Sequence, residues 1–473
     1  MKRELEKILS IHLDRVHFVG IGGSSMSGLA SILIENGINA TGSDMQSSSY
    51  TDKLLSSGAK VSIGHSAENI DDDCSLIVYT AAIDSENPEL KKAQELGIPM
   101  LERSEFLGIM TEAFGKTIAV AGTHGKTTTS SLIASIFYLS GLDPTVSVGG
   151  VVPALQGNYR VGKSDYFVTE ACEYVDSFLR SRHKIGIILN IELDHVDYFK
   201  NLDQVKDSFK KFASIIPKDG YLIANGDSKD ILDICHALEC TVVTTGLNEN
   251  NEYQATNISY DANGKPSFDV YKKGVLLHRF TLSIPGEHNV MNSLAAIACA
   301  DICGIPAKML SESLKTFTGA GRRFEFRGRI NDITVVEDYA HHPTELKVTI
   351  DACRNYDADR LIVVFQPHTF SRTHHFFDEL TGALKDADYV IVSDIYAARE
   401  KNKWGIKNGE LADALNKDHQ TSAIHISDFD EISNHVTSMA KPGDFILVAG
   451  AGTINKVAYD IAEKLTKRFS ENP

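Results

Sequence analysis

Residues Thr117–Ser131 read TIAVAGTHGKTTTSS, and the order of residue types along this stretch decides the architecture. A short apolar strand, Ile118–Ala121, runs into Gly122-Thr123-His124-Gly125-Lys126-Thr127, and a helix-forming run begins at Thr128. Glycines let the backbone curl until its N–H groups face one point. The helix N-terminus adds positive dipole there, and Lys126 adds a full charge. Thr127 supplies a hydroxyl where a Mg²⁺ on the phosphates would sit. The loop is a variant of GxxxxGK[ST]: only Thr123 and His124 separate its glycines, and Val120 occupies the place of the first. A glycine turn beside an ordinary surface lysine is the alternative. Strand, glycines, Lys-Thr and helix nevertheless fall in the order a triphosphate cradle requires. The expectation is a chain that consumes ATP, with Gly122, Thr123, His124, Gly125, Lys126, Thr127 and Thr128 around the phosphates.

Length and composition set the surroundings of this loop. A chain of 473 residues holds two to four domains, and an apolar fraction of 42% is ordinary for a globular protein. No apolar run approaches the roughly 18 residues that cross a membrane, and the charged N-terminus MKRELEKILSIHLDRVHF has no signal-peptide block. A cytoplasmic location is expected, with no membrane partner. The seven cysteines are scattered and form no CxxC pair, so neither a disulfide framework nor a zinc site is signalled. Cys299 and Cys303 share a helix face with alanines and read as buried small residues. The net charge of −16 argues against a nucleic-acid partner, because counterion release needs a basic surface.

Strands and helices alternate throughout, in three blocks. The first starts with Val16–Gly20 as a strand, then a glycine-rich turn and a helix over Met26–Asn36, with Asn39–Gly42, Lys60–Ile63 and Leu76–Thr80 as further strands. The block fades over Arg103–Gly115. The second opens with the triphosphate loop and continues through Tyr166–Thr169, Ile185–Asn190 and Tyr221–Asn225. Between Glu252 and Phe280 the period changes to two, with Asn263-Gly264 and Lys273-Gly274 as turn signals, which predicts an antiparallel patch on a mainly parallel sheet. An Ala-rich helix over Asn289–Cys303 stops at Gly304-Ile-Pro306. The third block carries strands at Thr334–Glu337, Arg360–Phe365, Tyr389–Ser393, Ala423–Ile426 and Asp444–Val448. Right-handed βαβ connections then give doubly wound sheets. Boundaries near 112 and 321 divide the chain into domains 1–112, 113–321 and 322–473.

Chemistry-bearing residues gather where such sheets open on a crevice. The first turn, Gly20-Ile-Gly22-Gly23-Ser24-Ser25, has serine where a dinucleotide fingerprint wants its third glycine, but it still joins strand to helix and suits a diphosphate. Asp44 follows the second strand, where a carboxylate can accept from a ribose hydroxyl. A nicotinamide dehydrogenase is the competing reading, and the ATP loop argues against it. Glu170, ending a strand in TEACE, can hold Mg²⁺ opposite Thr127. Asn190 and His195 can reach the same crevice; alternatively Asp194, His195 and Asp197 form a solvated helix start. Asn289 and Asn292 suit an adenine edge or a helix cap. Arg322 and Arg323 suit a phosphate clamp or an ordinary surface pair. Five histidines in the third block (341, 342, 368, 374 and 375) lack the spacing of a dedicated zinc site.

Taken together, these segments resemble the Mur ligases of bacterial cell-wall synthesis. The resemblance runs in order over the whole chain: VGIGGSSMSGLA, GSD, YTAAI with NPEL, AVAGTHGKTTT, TEACE, NIELDHVDYF, PGEHNVMNSLAA, FTGAGRRFEFRG, EDYAHHPTE and FQPHTFSRT. It implies an α/β protein of three domains: an N-terminal Rossmann-like UDP-binding domain, a central P-loop ATPase-like domain, and a C-terminal Rossmann-like domain for the amino acid. The implied reaction joins an amine to the carboxyl of UDP-N-acetylmuramate through an acyl phosphate made from ATP. L-alanine is the amine that the wording favours, and a preformed peptide is the alternative. Carried over by position, Lys126 contacts the β- and γ-phosphates. Thr127, Glu170 and His195 belong with Mg²⁺, and Asn292, Arg323 and Asp338 grip ATP. His342 and Arg372 receive the amino acid. Gly20, Gly22, Gly23, Ser24 and Ser25 take the UDP diphosphate, with Asp44, His65 and Arg103 beside the sugar nucleotide. The resemblance further implies hinge closure over the acyl phosphate, and a monomer or homodimer. The family's E-A-D-E-S-D run is here Glu170-Ala-Cys172-Glu173-Tyr174-Val175-Asp176, and no carbamylated lysine is identified.

Overall fold

The computed structural model describes residues 1–80, 82–356, 358–417 and 421–471. The chain forms two compact units. The first holds Met1–Ile191, Val205–Gln254 and Leu294–Ser313; the second holds Glu192–Gln204, Ala255–Ser293 and everything from Leu314 onward.

The first unit contains two sheets. A five-stranded parallel sheet runs in spatial order Lys60–Ile63, Asn39–Asp44, Arg15–Val19, Leu76–Tyr79, Met100–Glu102. Its first strand in sequence, Arg15–Val19, lies in the middle and is buried from Val16 to Val19, the signature of a strand covered on both faces. The order reverses there, so the crevice at its carboxyl end belongs to the turn after Val19. The other sheet centres on Lys116–Ala121, flanked by Ile185–Ile188 on one side and Tyr166–Glu170 on the other, all parallel. Tyr221–Asn225 and Thr241–Gly246 extend it one way, and Thr145–Val152 with the antiparallel edge strand Gly157–Arg160 the other. Tyr253 and Gln254 continue the ladder in parallel with Thr245 and Gly246.

In the second unit a six-stranded sheet runs Glu325–Ile330, Ile333–Asp338, Asp444–Ala449, Arg360–Phe365, Tyr389–Val392, Ser422–His425. Only its first pair is antiparallel. Separate buried clusters cover its two faces, one including Val363, Phe365 and Leu380, the other Ile362, Val364 and Ile432. The alternation of Leu361–Phe365 between these clusters is the two-residue period of a strand, and burial on both faces explains its uninterrupted apolar run. The expected antiparallel patch is the hairpin Pro266–Lys272 with Val275–Thr281. Its Lys273 (φ 50°) and Gly274 (φ 77°) are both left-handed, as a two-residue primed turn demands.

The first block does not fade after Glu102. Arg103–Glu112 is a helix, opened by a capping box between Glu102 and Glu105. Five strands lie where none was expected: Met100–Glu102, Thr145–Val152, Gly157–Arg160, Thr241–Gly246 and Glu325–Ile330.

Candidate active site

The central strand Lys116–Ala121 leaves the sheet at Gly122, whose φ of 148° and approach to Leu189 exclude a side chain. Gly125 (φ 81°) caps the helix Lys126–Leu139. Asn190 holds the loop between them. Its Oδ1 accepts from the His124 N–H (2.7 Å), its Nδ2 donates to the His124 carbonyl (3.1 Å), and its own carbonyl accepts from Thr123 N (3.2 Å). Asn190 thus shapes the cradle rather than reaching into it.

Lys126 has three hydrogens to give, and all three have acceptors. Nζ lies 2.5 Å from the Gly122 carbonyl, 3.0 Å from that of Thr123, and 3.0 and 3.2 Å from the two Glu173 oxygens. Burial opposes the ammonium, but the carboxylate of Glu173 and its neighbours hold its pKa well above the ordinary lysine value. Glu173 is itself 2% exposed. Its pairing with Lys126 joins residues 47 apart along the chain, which no local motif records.

Glu170 ends its strand beside the cradle, and its Oε1 accepts from Gly149 N at 2.5 Å and Ser130 Oγ at 3.4 Å. A Cβ on Gly149 would lie 3.0 Å from Glu170 Oε1 and 3.2 Å from Thr127 Oγ1. A hydroxyl and a carboxylate therefore converge on one small space that only glycine leaves open. Such hard oxygen donors suit a Mg²⁺ ion. Ser24, Ser25, Arg103, Gly149, Glu170 and Cys172 line a cavity of about 170 Å³. The first turn and the cradle's carboxylate face the same space.

That first turn is built on Ser43 and Asp44. The Ser43 carbonyl accepts from Gly20 N (2.8 Å) and Ile21 N (2.9 Å), and Asp44 Oδ2 accepts from Gly22 N (2.9 Å). Gly23 caps the helix Ser24–Glu35 without a side-chain hydrogen bond, leaving first-turn N–H groups for a ligand. Asn158 Nδ2 donates to the Ser24 carbonyl (3.1 Å) and so ties the turn to the edge of the second sheet. Asp44, expected at a ribose, shapes the turn with Oδ2 and takes the Gln46 N–H with Oδ1 (3.2 Å).

In the second unit His195, His342 and Arg372 surround Asp194. Arg372 donates to Asp194 Oδ1 from Nε (3.0 Å) and a terminal nitrogen (2.8 Å), and His195 N donates to the same oxygen (2.6 Å). Asp194 is 6% exposed and outside any helix, so the solvated helix start is overturned. Burial works against its charge, but the Arg372 guanidinium holds its pKa far below the carboxylate range. Arg372 also meets His368 Nδ1 at 2.9 Å. His342 caps the helix Pro343–Arg354: its Nδ1 accepts from Thr344 N (3.3 Å), so Nε2 carries the proton and donates to the Leu193 carbonyl (3.3 Å).

Asn292, Arg323 and Asp338 belong to the second unit. Asn292 is buried and donates to Asn289 Oδ1 (3.1 Å). The Arg323 guanidinium lies 4.9 Å above the Tyr339 ring and 3.7 Å from Glu345. Asp338 takes the N–H groups of Phe324 and Ala340, each at 2.7 Å, and burial pushes its pKa up to about 6 against the pull of Arg323. Of the five histidines, His374 stacks on Trp404 and His375 lies edge-on to Phe376. Among the described residues no three of the five converge as metal ligands do. Cys299 is buried as expected, whereas Cys303 is partly open.

Models of three Mur ligase segments match the chain: the family's catalytic domain over residues 15–115, its middle domain over 120–300, and its glutamate ligase domain over 322–452. A protein of Caldanaerobacter subterraneus subsp. tengcongensis named UDP-N-acetylmuramate–L-alanine ligase is 46% identical over 98% of this chain and 98% of its own length. The chain belongs to the Mur ligase family. A Clostridium botulinum protein of the same name is 48% identical over 93% of this chain and 96% of its own. Among solved structures, UDP-N-acetylmuramate–alanine ligase MurC of Thermotoga maritima superposes with a TM-score of 0.81 at 26% identity, covering 97% of this chain and all of the other. This Mur ligase therefore carries the family's fold along its whole length. No helix among its described residues is long and apolar enough to cross a membrane.

Proposed function

We propose that this Mur ligase joins L-alanine to the carboxyl group of UDP-N-acetylmuramate, a step in making peptidoglycan precursors, with ATP as co-substrate. The observation that carries this reading is near-full-length identity of 46% and 48% to ligases of that name. Supporting it is the cradle that closes around Lys126, and its shared cavity with the first glycine turn.

A carboxylate does not react with an amine until it is activated. The muramate carboxylate attacks the γ-phosphorus of ATP, the bond to ADP breaks, and an acyl phosphate forms. The amine of L-alanine then attacks the acyl carbon, and phosphate leaves. Lys126 exchanges its protein acceptors for phosphate oxygens and offsets the charge that gathers on them. The N–H groups at the start of Lys126–Leu139 orient the chain of phosphates. Thr127 and Glu170 would hold Mg²⁺, with His195 also assigned to the metal, and the ion would supply charge neutralisation. Asn292, Arg323 and Asp338 are assigned to the nucleotide, and His342 and Arg372 to the amino acid. Gly20, Gly22, Gly23, Ser24, Ser25, Asp44, His65 and Arg103 are assigned to the UDP sugar, all before the proposed division at 112, whereas the nucleotide draws on residues from both sides of the division at 321. A cytoplasmic site of action fits these small soluble substrates.

Phosphate release with UDP-N-acetylmuramate, Mg-ATP and a panel of amines tests the reading. L-alanine gives the highest kcat/KM, above glycine, L-serine and the tripeptide. Release that favours the tripeptide would assign the chain to peptide reattachment. Lys126→Ala lowers turnover by about 100-fold or more, the scale for removing one charged donor from a transition state, while UDP-sugar binding survives. Near-normal turnover in that variant would remove the cradle from the mechanism.

A further inference from the structure

Beneath the first glycine turn lies a polar cluster around His65, whose other members the reaction above leaves unused. Glu89, in the helix Pro88–Leu96, has no solvent exposure. Its Oε1 accepts from Asn69 Nδ2 (2.5 Å), and its Oε2 faces Ser43 Oγ (2.6 Å) and His65 Nδ1 (3.1 Å). Ser43 Oγ lies 2.9 Å from the same His65 Nδ1. Burial opposes the charge on Glu89, but the polar groups of His17, Ser43 and Asn69 hold its pKa down to about 2. It is a carboxylate at neutral pH and can only accept.

Counting protons then fixes the histidine. The single hydroxyl proton of Ser43 goes to Glu89, so Ser43 offers His65 only a lone pair. Both partners of Nδ1 are acceptors, and Nδ1 must carry the ring's proton. Among the described residues Nε2 has no hydrogen-bond partner, and it is not among the buried atoms that lack one, so it is open to solvent. The neutral ring presents Nε2 as a bare acceptor. Its position is set by the same elements that set the turn. Gly64 N donates to the Asp44 carbonyl (2.8 Å), and the Ser43 carbonyl holds Gly20 and Ile21. One residue, Ser43, thus fixes the diphosphate turn with its backbone and the His65 tautomer with its side chain.

We propose that Glu89 and Ser43 are positioning residues that lock His65 as its Nδ1–H tautomer, so that Nε2 accepts a hydrogen bond from a donor of the uridine, its imide N–H or the ribose 2′-hydroxyl. This rests on the assignment of the UDP sugar to the first unit. A ring held in this way gains affinity because no tautomer is lost on binding.

The wild-type enzyme, labelled with ¹⁵N-histidine and assigned with a His65→Gln variant, tests the tautomer directly at pH 8. Nδ1 carries the proton, and the Nε2 resonance moves when UDP is added. Glu89→Gln raises KM for UDP-N-acetylmuramate about tenfold or more, the scale for a lost charge-assisted bond, with kcat within about twofold. Its His65 signal shows a mixture of tautomers. If Glu89→Gln fails to fold, Glu89→Asp, whose shorter side chain withdraws the carboxylate from Nδ1, is read for the same mixture. Affinities for 3-methyl-UDP and 2′-deoxy-UDP identify the donor, because one of the two binds about tenfold more weakly than UDP. An Nε2–H tautomer in wild type, an unchanged KM, or full affinity for both analogues overturns the proposal alone. Wild-type enzyme that binds no UDP would overturn the underlying assignment as well.

Discussion

At the scale of single residues, charge is balanced inside the protein before any ligand arrives. Lys126 is paired with buried Glu173, and a triphosphate must take over the role of that carboxylate. Breaking one side of a buried pair costs about 3–5 kcal/mol because the other charge is stranded. Glu173→Gln therefore lowers the melting temperature, and Mg-ATP restores more stability to it than to wild type, since phosphate resupplies the missing negative charge. Thermal melts with and without Mg-ATP check this; equal shifts in both proteins would mean that Lys126 does not turn to the phosphates. Asp194 and Arg372 form the corresponding pair in the second unit. The signs of titration there follow from the shifts. Burial lowers His341 to about 3, and His288 and His368 to about 4. Unfolded histidines titrate near 6.5, so below that pH the unfolded chain binds more protons and stability falls. Asp338, raised to about 6, acts in the opposite sense between about 3.9 and 6, one group against three. The depressed Asp194 contributes stability above about 3.9 that is lost as pH falls further. The midpoint of the second unit's melt should rise steadily from pH 4.5 to 7.

At the scale of elements, legibility followed burial pattern. Lys60–Ile63, Tyr221–Asn225 and Arg360–Phe365 were readable to the residue because apolar or alternating runs end at turn signals. Thr145–Val152 was not, because its Gly149-Gly150 pair reads as a loop. Those residues are in a strand because Gly149 must yield space to Glu170 and Thr127, a tertiary demand that no local pattern records. Gly157–Arg160 and Glu325–Ile330 are edge strands in which glycine and charged residues break the apolar pattern. The cradle was legible as a motif, whereas its clamp Asn190 and counterion Glu173 are contacts over long sequence separations. The helix Arg103–Glu112 has a hidden constraint of the same kind. A methyl group on Gly108 would overlap the Arg180 carbonyl oxygen, which is backbone and cannot swing away. Gly108→Ala gains about 1 kcal/mol of helix propensity but loses about 1–3 kcal/mol to overpacking. The net effect is a lower melting temperature and a higher KM for the UDP sugar, because Gly108 lines the cavity with Arg103 and Ser104. A variant more stable than wild type, with unchanged KM, would show that helix and carbonyl separate freely.

At the scale of the molecule, the tasks are unevenly divided between the two compact units. Every residue assigned to the UDP sugar, from Gly20 to Arg103, falls in the first unit, as do Lys126 and Glu170. The single tryptophan of the chain, Trp404, falls in the second, where its ring stacks on His374. That placement makes fluorescence a reporter of the second unit alone. A ligand that binds only the folded first unit stabilises it by RT ln(1 + [L]/Kd), about 2.7 kcal/mol at 100 times Kd. Chains with more than one compact unit need not unfold as a single two-state system. UDP added without ATP or alanine should therefore raise the calorimetric transition of the first unit and leave the Trp404 melting curve where it was. A tryptophan transition that climbs in step with the calorimetric one would show that nucleotide binding is felt across the whole chain, and that the units unfold together.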